Sequence, residues 1–580
     1  MLRVHESLRG KHLFVTGASG FVGKVWIAML LSRVPDIGQI TLLLRGKARE
    51  DVDARFRRIA LRSPAFRALR EQHGDGFPAF LRERVTVVKG SLTTEGFGLP
   101  DPVYRKLLAP VDAVIHFAGV TDFDPDPPAA LAVNIDGTTF AADAAAQSQG
   151  RLLLHISTAF VAGNVSGEIA EEVRTGIAPN GHPFDPEAEV EAFRSIAALE
   201  DRAERRRRGT ERAQALGYPN LYTYTKGLAE HRVAARSDIR WGIHRPAIVE
   251  SAREYPFPGW NEGINTSGPL VWLLSTWFRK LPASPNHHFN VVPVDTVARA
   301  ISVHLAALLA GRTVPVTQCA SADVNPFHFD RAIELTSLAV RRMHSRPEAT
   351  PLARGVLKHL DSVARPADID PFPSLPFLRK TLRSAGDGLA FVKPADYLPG
   401  PLRDAFGAQA NQWSKKVTSK LRDAERNLGR VERMLELFQP FTHDNDYIFQ
   451  TDVLRSLSDE LSEDEKVLFG FDLATLDWRH YWLEVQVPGL EKWSLPLLRR
   501  EAIEEDSEPA WGHSLPPSMI PADLHDGNGA SNGGPGASQG NGSREEPTPR
   551  IPAEARVPTE ARVPAEARTE DPVADGGAHP

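Results

Sequence analysis

The run TGASGFVGK, residues 16–24, constrains the fold of this chain more than any other feature. It follows the stretch His12–Val15 and leads into a helical pattern of apolar side chains, so it lies between a predicted strand and a predicted helix. Its glycines suit a tight turn (Gly17), close approach of the backbone to a ligand (Gly20) and close packing of helix on strand (Gly23). Because free amides at a helix N-terminus bind phosphates, the run predicts a dinucleotide site. A glycine-rich turn without a ligand is the alternative.

The next predicted strand, Ile40–Leu44, ends in Arg45, at the place where a site that prefers NAD offers an acid to the ribose hydroxyls. A planar guanidinium is well shaped to pair with a 2′-phosphate. We therefore expect NADP(H), with the phosphate held by Arg45, Lys47 and Arg55. The alternative is that Arg45 only ends a strand and that residues 55–58 form a solvated helix face.

Two later segments carry residue types that suit carbonyl chemistry. The predicted strand Leu152–Ile156 runs into Ser157 and Thr158. Further along, Tyr222 precedes Lys226 by four residues, a spacing that places both side chains on one helix face, one turn apart. Since a free tyrosine has a pKa of about 10, a nearby ammonium is needed to favour its ionised form. A Tyr-x-x-x-Lys pair is common by chance, but after a glycine turn and a strand-end Ser-Thr it predicts acid–base catalysis.

Strand and helix patterns alternate up to about residue 315, which indicates a parallel sheet with helices on both faces. The predicted strands are Leu13–Thr16, Ile40–Leu44, Val85–Val88, Ala113–His116, Leu152–Ser157 and Trp241–Arg245. Ligands of such sheets bind at the carboxyl ends of the strands, where Gly17, Arg45 and Thr158 fall. His116 also falls there, and we expect it to pack near the cofactor without a catalytic role. The predicted fold class is α/β, a Rossmann-type doubly wound parallel sheet.

Pattern and composition divide the chain into four regions. Residues 1–320 are predicted to form the cofactor-binding domain with its substrate-binding segments, and the proline-rich residues 321–410 a lid or substrate wall. Residues 411–500 are predicted to be mostly helical. Residues 507–580 carry the near-repeat IPAEAR, VPTEAR, VPAEAR and are predicted to form a disordered tail.

A long helix is predicted from Asn411 to Phe438, with a basic first half and a broad apolar stripe. The stripe comprises Trp413, Val417, Leu421, Leu428, Val431 and Leu435. We expect this stripe to pack on the core, and docking of the helix on a membrane surface is the alternative.

Composition excludes several classes of protein. The formal net charge of −6 over 580 residues argues against nucleic acid as the main partner. A single cysteine excludes a disulfide scaffold and fits a reducing compartment. No apolar run approaches the roughly 20 residues that span a bilayer, and the first residues lack a signal-peptide core. We therefore expect a cytoplasmic protein, with peripheral contact to a membrane as the alternative, and we predict no metal site.

The order of these motifs resembles the extended short-chain dehydrogenases/reductases and, within them, the fatty acyl-CoA reductases. The resemblance covers about residues 10–330 and resumes at 440–500. It is carried by TGASGFVGKV, LLLRGKA, VIHFAGVTDF, AVNIDGT, HISTAFVAGN, YTYTKGLAE and HRPAIVESAREYPFPGWNEGINTSGP. Ser91 departs from the family's usual aspartate near the adenine, and Gly119 replaces a usual alanine. Cys319 lies far from the catalytic motifs, which argues against a thiol nucleophile.

This resemblance implies an NADPH-dependent reductase that converts a long-chain acyl-CoA to a fatty alcohol through an aldehyde. It implies that Tyr222 donates a proton to the carbonyl oxygen, that Thr158 hydrogen-bonds this oxygen, and that Lys226 tunes Tyr222 and holds the nicotinamide ribose. The residues assigned to cofactor binding are Thr16, Gly17, Ser19, Gly20, Phe21, Val22, Gly23, Arg45, Lys47, Arg55, Tyr222 and Lys226.

Three other functions stay open at this point. One is an aldehyde-forming acyl-thioester reductase, for which an acyl carrier protein is an alternative donor of the acyl group. Another is an extended short-chain dehydrogenase that acts on a sugar nucleotide or a steroid. The third is an NADP-sensing binding protein without activity.

The run Arg205–Arg208 lies in a helical pattern and admits two interpretations. It forms a solvated helix face, or it binds the phosphates of coenzyme A, of an acyl carrier protein or of acidic lipid headgroups.

Overall fold

The computed structural model describes residues 1–46, 51–264, 267–275, 280–347, 354–355, 363–365, 379–384, 387–388, 397, 399–499, 501 and 503. Lys47, the tail 507–580 and much of the region 321–410 therefore lie outside the described residues. The described residues all belong to one compact unit, Met1–Gly527. The boundaries of the four predicted regions stay predictions.

The strands are β1 (His12–Thr16), β2 (Gln39–Leu44), β3 (Val85–Lys89), β4 (Ala113–His116), β5 (Leu152–Ile156), β6 (Gly167–Ile169), β7 (Arg240–Pro246), β8 (Ile248–Glu250), β9 (Lys280–Pro282), β10 (Val291–Pro293), β11 (Val316–Cys319), β12 (Val363–Arg365) and β13 (Tyr447–Phe449). Within the described ranges, seven of them form a parallel sheet in the order β3-β2-β1-β4-β5-β7-β11. Three parallel pairs, β8 with β10, β9 with β12 and β6 with β13, stand apart from it.

The strand order reverses next to β1, because β2 and β3 continue on one side of it and β4 on the other. A reversal of this kind opens a crevice at the carboxyl ends of the strands. The predicted Rossmann-type doubly wound sheet is confirmed, and the six predicted strands agree with the observed ones to within one residue at each end. The sequence did not predict β11, whose residues VTQC are buried but form no apolar run.

The helices are Val4–Leu8, Phe21–Arg33, Val52–Arg62, Arg67–His73, Phe77–Arg84, Asp101–Leu108, Pro127–Ala130, Gly137–Gln147, Pro186–Ala197, Arg202–Ala215, Leu221–Ala234, Ser267–Leu274, Val294–Leu309, Phe329–His344, Gly400–Gln439, Asp452–Asp459, Glu463–Phe469, Trp478–His480, Val487–Trp493 and Leu495–Arg499. We refer to Leu221–Ala234 as the tyrosine helix and to Gly400–Gln439 as the lid helix. Among the described residues, none of the helices combines the length and the apolar character that crossing a bilayer requires.

Helices cover both faces of the sheet because alternate side chains of each strand point in opposite directions. On β1, Leu13 and Val15 belong to one hydrophobic cluster with the helices Phe21–Arg33 and Val294–Leu309. Phe14 belongs to a second cluster on the opposite face. Strands that are buried on both faces form the core between these two helical layers.

The C-terminal residues are part of the same core. Leu454, Trp482 and Leu490 lie in the hydrophobic cluster that also contains residues of β1. The buried carboxylate of Glu250 accepts hydrogen bonds from Gln486 Nε2 at 2.7 Å and from the backbone N–H of Ser267 at 2.9 Å. Apolar burial and a buried polar contact therefore both join the C-terminal residues to the sheet domain.

The predicted helix Asn411–Phe438 is confirmed and lies within the lid helix. Its predicted apolar stripe is wrong at Trp413, whose side chain is 61% exposed. Ser414 and Thr418 are buried instead, and further along the helix Leu428 and Leu435 pack on the core. Trp413 lies about 100° around the helix from the buried Ser414. The side chain of Val431 lies outside the described residues.

The contact between Gly489 and Gly259 gives a test of the C-terminal packing. A Cβ at Gly489 would lie 2.2 Å from the carbonyl oxygen of Gly259, so Gly489→Ala has to displace backbone. We expect a loss of stability on the order of 1–3 kcal/mol, measured as a lower Tm. Gly76→Ala is the control, because a Cβ there meets nothing within 4 Å. Equal Tm values for the two variants would contradict the packing.

Candidate active site

The glycine turn, residues 17–20, joins β1 to the helix Phe21–Arg33 at the carboxyl edge of the sheet. Gly17 has a φ of +74°, and a Cβ there would lie 2.4 Å from the amide nitrogen of Ala118. At Gly23 a Cβ would lie 2.7 Å from the Gly17 carbonyl oxygen. No side chain of the described residues caps this helix at Gly20, so its first amides are free to bind an anion. The turn therefore fits a pyrophosphate.

The other predicted residues of this motif divide into two groups. Phe21, Val22 and Gly23 line the same cavity as Gly17 and Gly20. Thr16 is buried below the turn, where its hydroxyl is 2.7 Å from Nδ1 of His116. The side chain of Thr16 is therefore already hydrogen-bonded within the sheet. Roles of Thr16 and Ser19 in cofactor binding stay predictions.

At the end of β2 the structure brings Arg45 and Arg55 together. Arg55 Nη1 donates to the carbonyl oxygen of Arg45 at 2.6 Å, and the side chain of Arg45 is exposed. Asp51 and Asp53 pair with a different base, because Arg57 Nη2 lies 2.8 Å from Asp53 Oδ2 and 3.9 Å from Asp51 Oδ2. Among the described residues, the guanidinium groups of Arg45 and Arg55 therefore lie together at this strand end. Lys47 lies outside the described residues.

Ser91 follows β3 at the same edge of the sheet. Its hydroxyl oxygen is 2.9 Å from that of Thr93. The short side chain is used within its own turn, which accounts for a serine in place of the expected aspartate.

Thr158 and Tyr222 meet at the end of β5. Thr158 directly precedes the short 3₁₀ turn Ala159–Ala162, and Tyr222 lies in the first turn of the tyrosine helix, which Asn220 caps. Burial raises the pKa of Tyr222 to about 12, and the neighbouring hydroxyl of Thr158 only partly opposes this. At neutral pH the phenol is protonated, so it is an acid.

Lys226 lies one turn after Tyr222, as the spacing predicts, and its side chain is buried. Its Nζ donates to the carbonyl oxygen of Ile156 at 2.7 Å and is 3.1 Å from Nε2 of His155. Burial lowers the pKa of Lys226 to about 8, while the charge of Glu230 raises it. The sequence predicted that Lys226 favours the ionised phenol. In this state burial dominates, and the pKa of Tyr222 is raised instead.

A cavity of about 680 Å³ connects these groups. Gly17, Gly20, Thr158, Tyr222 and Lys226 line one part of it. The rest of the lining is mainly apolar and includes Ile248, Val249, Pro269, Leu270, Leu273, Leu281, Phe289, Phe329, Leu435, Leu437, Phe438 and Phe441. Its polar members include Thr121, Asp122, Ser157 and Thr442. The apolar lining was not predicted, because an apolar side chain that faces a cavity has the same sequence signature as one that faces the core.

Aromatic side chains from two distant segments of the chain pack together beside Tyr222; we call Phe123, Phe438 and Phe441 the aromatic lid. The ring of Phe123 is stacked on Tyr222 with centroids 6.0 Å apart. Phe438 and Phe441 contact Phe123 at centroid distances of 5.3 and 5.4 Å. Phe438 is in the lid helix, and Phe441 follows it. Residues close to the C-terminus of the described chain therefore form part of the active-site wall.

Polar contacts hold the segment after the lid helix in place. The backbone N–H of Ser284 donates to the carbonyl oxygen of Thr442 at 3.0 Å. The backbone N–H of His288 donates to Asp446 Oδ1 at 2.8 Å. Asn290 Nδ2 donates to the carbonyl oxygen of Tyr447 at 2.8 Å. These bonds anchor the segment that follows the aromatic lid to the loop before β10.

All four arginines of the run 205–208 pair with carboxylates, which favours a structural role over phosphate binding. Arg207 and Arg208 pair with Glu204 on their own helix. Arg205 forms a two-pronged pair with Asp126, with both N–O distances 2.7 Å, and Arg206 lies 3.5 Å from Asp124. Asp124 and Asp126 directly follow Phe123 in the chain. The ion pairs of Arg205 and Arg206 therefore fix the loop that carries Phe123 of the aromatic lid.

The structure also shows where two further residues named in the sequence analysis lie. His116 is buried at the end of β4 and does not line the cavity. Cys319 is buried, and burial raises the pKa of its thiol, so the sulfur is unreactive. Within the described part of the chain, no group of three or more potential metal ligands is arranged to hold an ion.

Comparison with known proteins agrees with this geometry. Two family models described as male sterility protein match the chain: an NAD-binding model over residues 15–301 and a Sterile model over residues 411–496. "Fatty acyl-CoA reductase 2, chloroplastic" from Arabidopsis thaliana is 27% identical, over 85% of this chain and 79% of that protein. "Alcohol-forming fatty acyl-CoA reductase" from Simmondsia chinensis is 27% identical, over 84% of this chain and 97% of that protein. The chain belongs to the fatty acyl-CoA reductase family.

Among solved structures, the terminal R domain from the myxalamid PKS-NRPS biosynthetic pathway is similar to this reductase over 80% of this chain and 89% of that chain. The sequence identity is 15% and the TM-score 0.46. The fold class of the reductase follows from the strand order of its own central sheet.

The pairing of Arg205 with Asp126 generates a prediction. Arg205→Ala should loosen the loop that carries Phe123 and lower the turnover of acyl-CoA by on the order of 10- to 100-fold, because small displacements of a positioned group cost this much. The dissociation constant for the dinucleotide, measured by fluorescence, should stay unchanged. Arg207→Ala is the matched control, since its partners are Glu204 and Glu211 on the same helix. Equal losses in both variants would restore the interpretation as a phosphate site.

Proposed function

We propose that this reductase converts a long-chain acyl-CoA to the primary alcohol at the expense of two NADPH, and that the aldehyde stays in the cavity between the two reductions. The observation that carries this proposal is the single cavity that joins the glycine turn, the set Thr158, Tyr222 and Lys226, and an apolar chamber. NADPH, when bound, supplies the hydride.

Each reduction needs one proton, and Tyr222 is placed to donate it. The first reduction adds hydride to the thioester carbonyl and a proton to its oxygen, and loss of the thiol then leaves the aldehyde. The second adds hydride to the aldehyde carbonyl and a proton to its oxygen. Because the half-buried phenol of Tyr222 is protonated and next to the hydroxyl of Thr158, the pair supplies the proton and a hydrogen bond at that oxygen in both steps. We assign Lys226 to the nicotinamide ribose.

The lining of the chamber supports an acyl substrate over a sugar nucleotide. Side chains such as Leu270, Leu273, Phe289 and Phe329 offer no hydrogen bonds to hydroxyl groups. A site that selects a sugar places polar groups against its hydroxyls, because an unmatched polar group in such a site costs affinity. The catalytic set also argues against a binding protein without activity, which has no need of a proton donor beside the carbonyl site.

Contact with a membrane surface stays a prediction of this proposal, as does the choice between CoA and an acyl carrier protein as donor. Trp413, Lys415, Lys416 and Arg422 of the lid helix are exposed, a composition typical of helices that lie on anionic membranes.

The preference for NADPH rests on Arg45 and Arg55, and Arg45→Asp tests it. We expect roughly a tenfold or greater loss of NADPH affinity, because a hydrogen bond between charged groups contributes about 1.5–3 kcal/mol. Affinity for NADH, which lacks the 2′-phosphate, should stay the same or improve. Arg62→Asp, at the other end of the helix that carries Arg55, makes the same change of charge and is the control. Unchanged binding of NADPH to the Arg45→Asp protein would refute the assignment.

The stoichiometry of the reaction tests the proposed product. With palmitoyl-CoA we expect two NADPH oxidised per acyl group, the alcohol on gas chromatography, and little aldehyde captured by a hydrazine. Phe438→Ala opens the aromatic lid, so captured aldehyde should increase while the first reduction continues. Leu428→Ala is the matched control, because this residue packs on the core from the same helix without lining the cavity.

One outcome would contradict the alcohol as product. It is the oxidation of a single NADPH per acyl-CoA, with the aldehyde captured in full and no reduction of added fatty aldehyde.

A further inference from the structure

Three neighbouring strands place polar side chains in one buried row. The strand register pairs Thr16 of β1 with His116 of β4, and His116 with His155 of β5. Residues paired across parallel strands point to the same face of the sheet. The imidazole rings of His116 and His155 are stacked with centroids 5.2 Å apart, and both are fully buried. The row ends at Lys226 of the tyrosine helix, 3.1 Å from His155.

The hydrogen bonds of His116 show that it is neutral and internally satisfied. The hydroxyl of Thr138 donates its only proton to the carbonyl oxygen of Asn134 at 2.7 Å. Thr138 must therefore accept the N–H of His116 Nε2, 3.2 Å away. Nδ1 of His116 then accepts from the hydroxyl of Thr16 at 2.7 Å. Burial lowers the pKa of His116 to about 3, in agreement with this arrangement. His116 is thus a fixed surface on which His155 stacks.

The hydrogen bonds of the His155 ring differ from those of His116. An ammonium has three N–H donors and no acceptor, so Nε2 of His155 has to accept from Lys226. Its proton then lies on Nδ1, which is buried and has no hydrogen-bond partner among the described residues. An unpaired buried N–H costs stability. The hydrogen bond that Nε2 accepts from Lys226 offsets part of this cost.

We propose that His155 is a positioning residue for Lys226, whose ammonium it holds together with the Ile156 carbonyl oxygen so that the third N–H is directed to the cavity. Lys226 is itself part of the cavity lining. The inference rests on the role proposed above for Lys226 toward the cofactor ribose. His155 is the first residue of the segment HISTAF. Its place inside a buried strand does not by itself reveal this positioning role.

Several charged or titratable groups surround Lys226. Glu230, one turn further along the same helix, raises its pKa and is paired with Arg245 of β7 at 2.6 Å. His155 of β5 and His116 of β4 stay neutral, since burial and the charge of Lys226 lower their pKa values. The accepting Nε2 of His155 favours the charged form of Lys226. Removal of this acceptor lowers the pKa of Lys226 further, so functions of the ammonium are lost at a lower pH.

The test compares His155→Leu with His155→Gln in the full chain. Leucine removes the acceptor, whereas the amide oxygen of glutamine reaches the position of Nε2. We expect the alkaline fall in NADPH affinity, measured by fluorescence, to begin about one pH unit lower in the leucine variant. This shift is about a fivefold loss at the midpoint of the unmodified enzyme and approaches about tenfold at higher pH. The kcat/KM profile for palmitoyl-CoA should shift in the same direction. The glutamine variant should keep the profile of the unmodified enzyme.

His244→Leu is the matched control. His244 is an equally buried imidazole on β7, pairs in register with Ile156, and so lies on the opposite face, where it is 2.8 Å from the hydroxyl of Thr317. Its loss should lower the Tm without moving either pH profile. If the leucine variant of His155 does not fold, His155→Asn takes its place, because its shorter amide does not reach Lys226.

Two results separate the failure of this inference from the failure of the proposed function. Identical pH profiles for the His155 and His244 variants would show that His155 is only a packing residue. Full activity of Tyr222→Phe would refute the proposed catalytic set, while the pH dependence of NADPH binding still decides the role of His155.

Discussion

All strands of the central sheet run in the same direction, and the active site depends on this constraint. Because their carboxyl ends meet at one edge, residues that follow different strands come together there: Gly17 after β1, Arg45 after β2, and Thr158 after β5. The tyrosine helix packs across the same region and adds Tyr222 and Lys226. The reversal of strand order beside β1 leaves room between the loops, and the cavity occupies that space.

Burial has opposite consequences for Tyr222 and Lys226 of the tyrosine helix. It raises the pKa of Tyr222, so the phenol stays protonated over a wider pH range, whereas it lowers the pKa of Lys226 toward neutrality. An exposed pair at the same spacing would behave like free tyrosine and free lysine. The sheet therefore contributes more than positions, because burial at its end makes the charge of Lys226 dependent on its acceptors, Ile156 and His155.

The sequence predicted most of the sheet and the polar half of the site. Strands and glycine turns have local signatures, namely apolar runs and glycines at set intervals, so their positions were correct. The predicted burial of Trp413 was wrong because a periodic pattern does not show which turns of a long helix contact the rest of the protein. The pairing of Arg205 with Asp126 lay beyond prediction, since the two residues belong to segments far apart in the chain.

By itself, the amino-acid sequence determined the fold class, the glycine turn, and the spacing that places Tyr222 and Lys226 on one helix face. These features depend on interactions between residues near one another in the chain, which leave a periodic pattern. Only the tertiary structure decided which apolar side chains line the cavity, how Phe438 and Phe441 pack on Phe123 beside Tyr222, and that His155 contacts Lys226. Those contacts join distant segments, and their geometry is set by strand register and by the packing of helices on the sheet, neither of which leaves a local pattern.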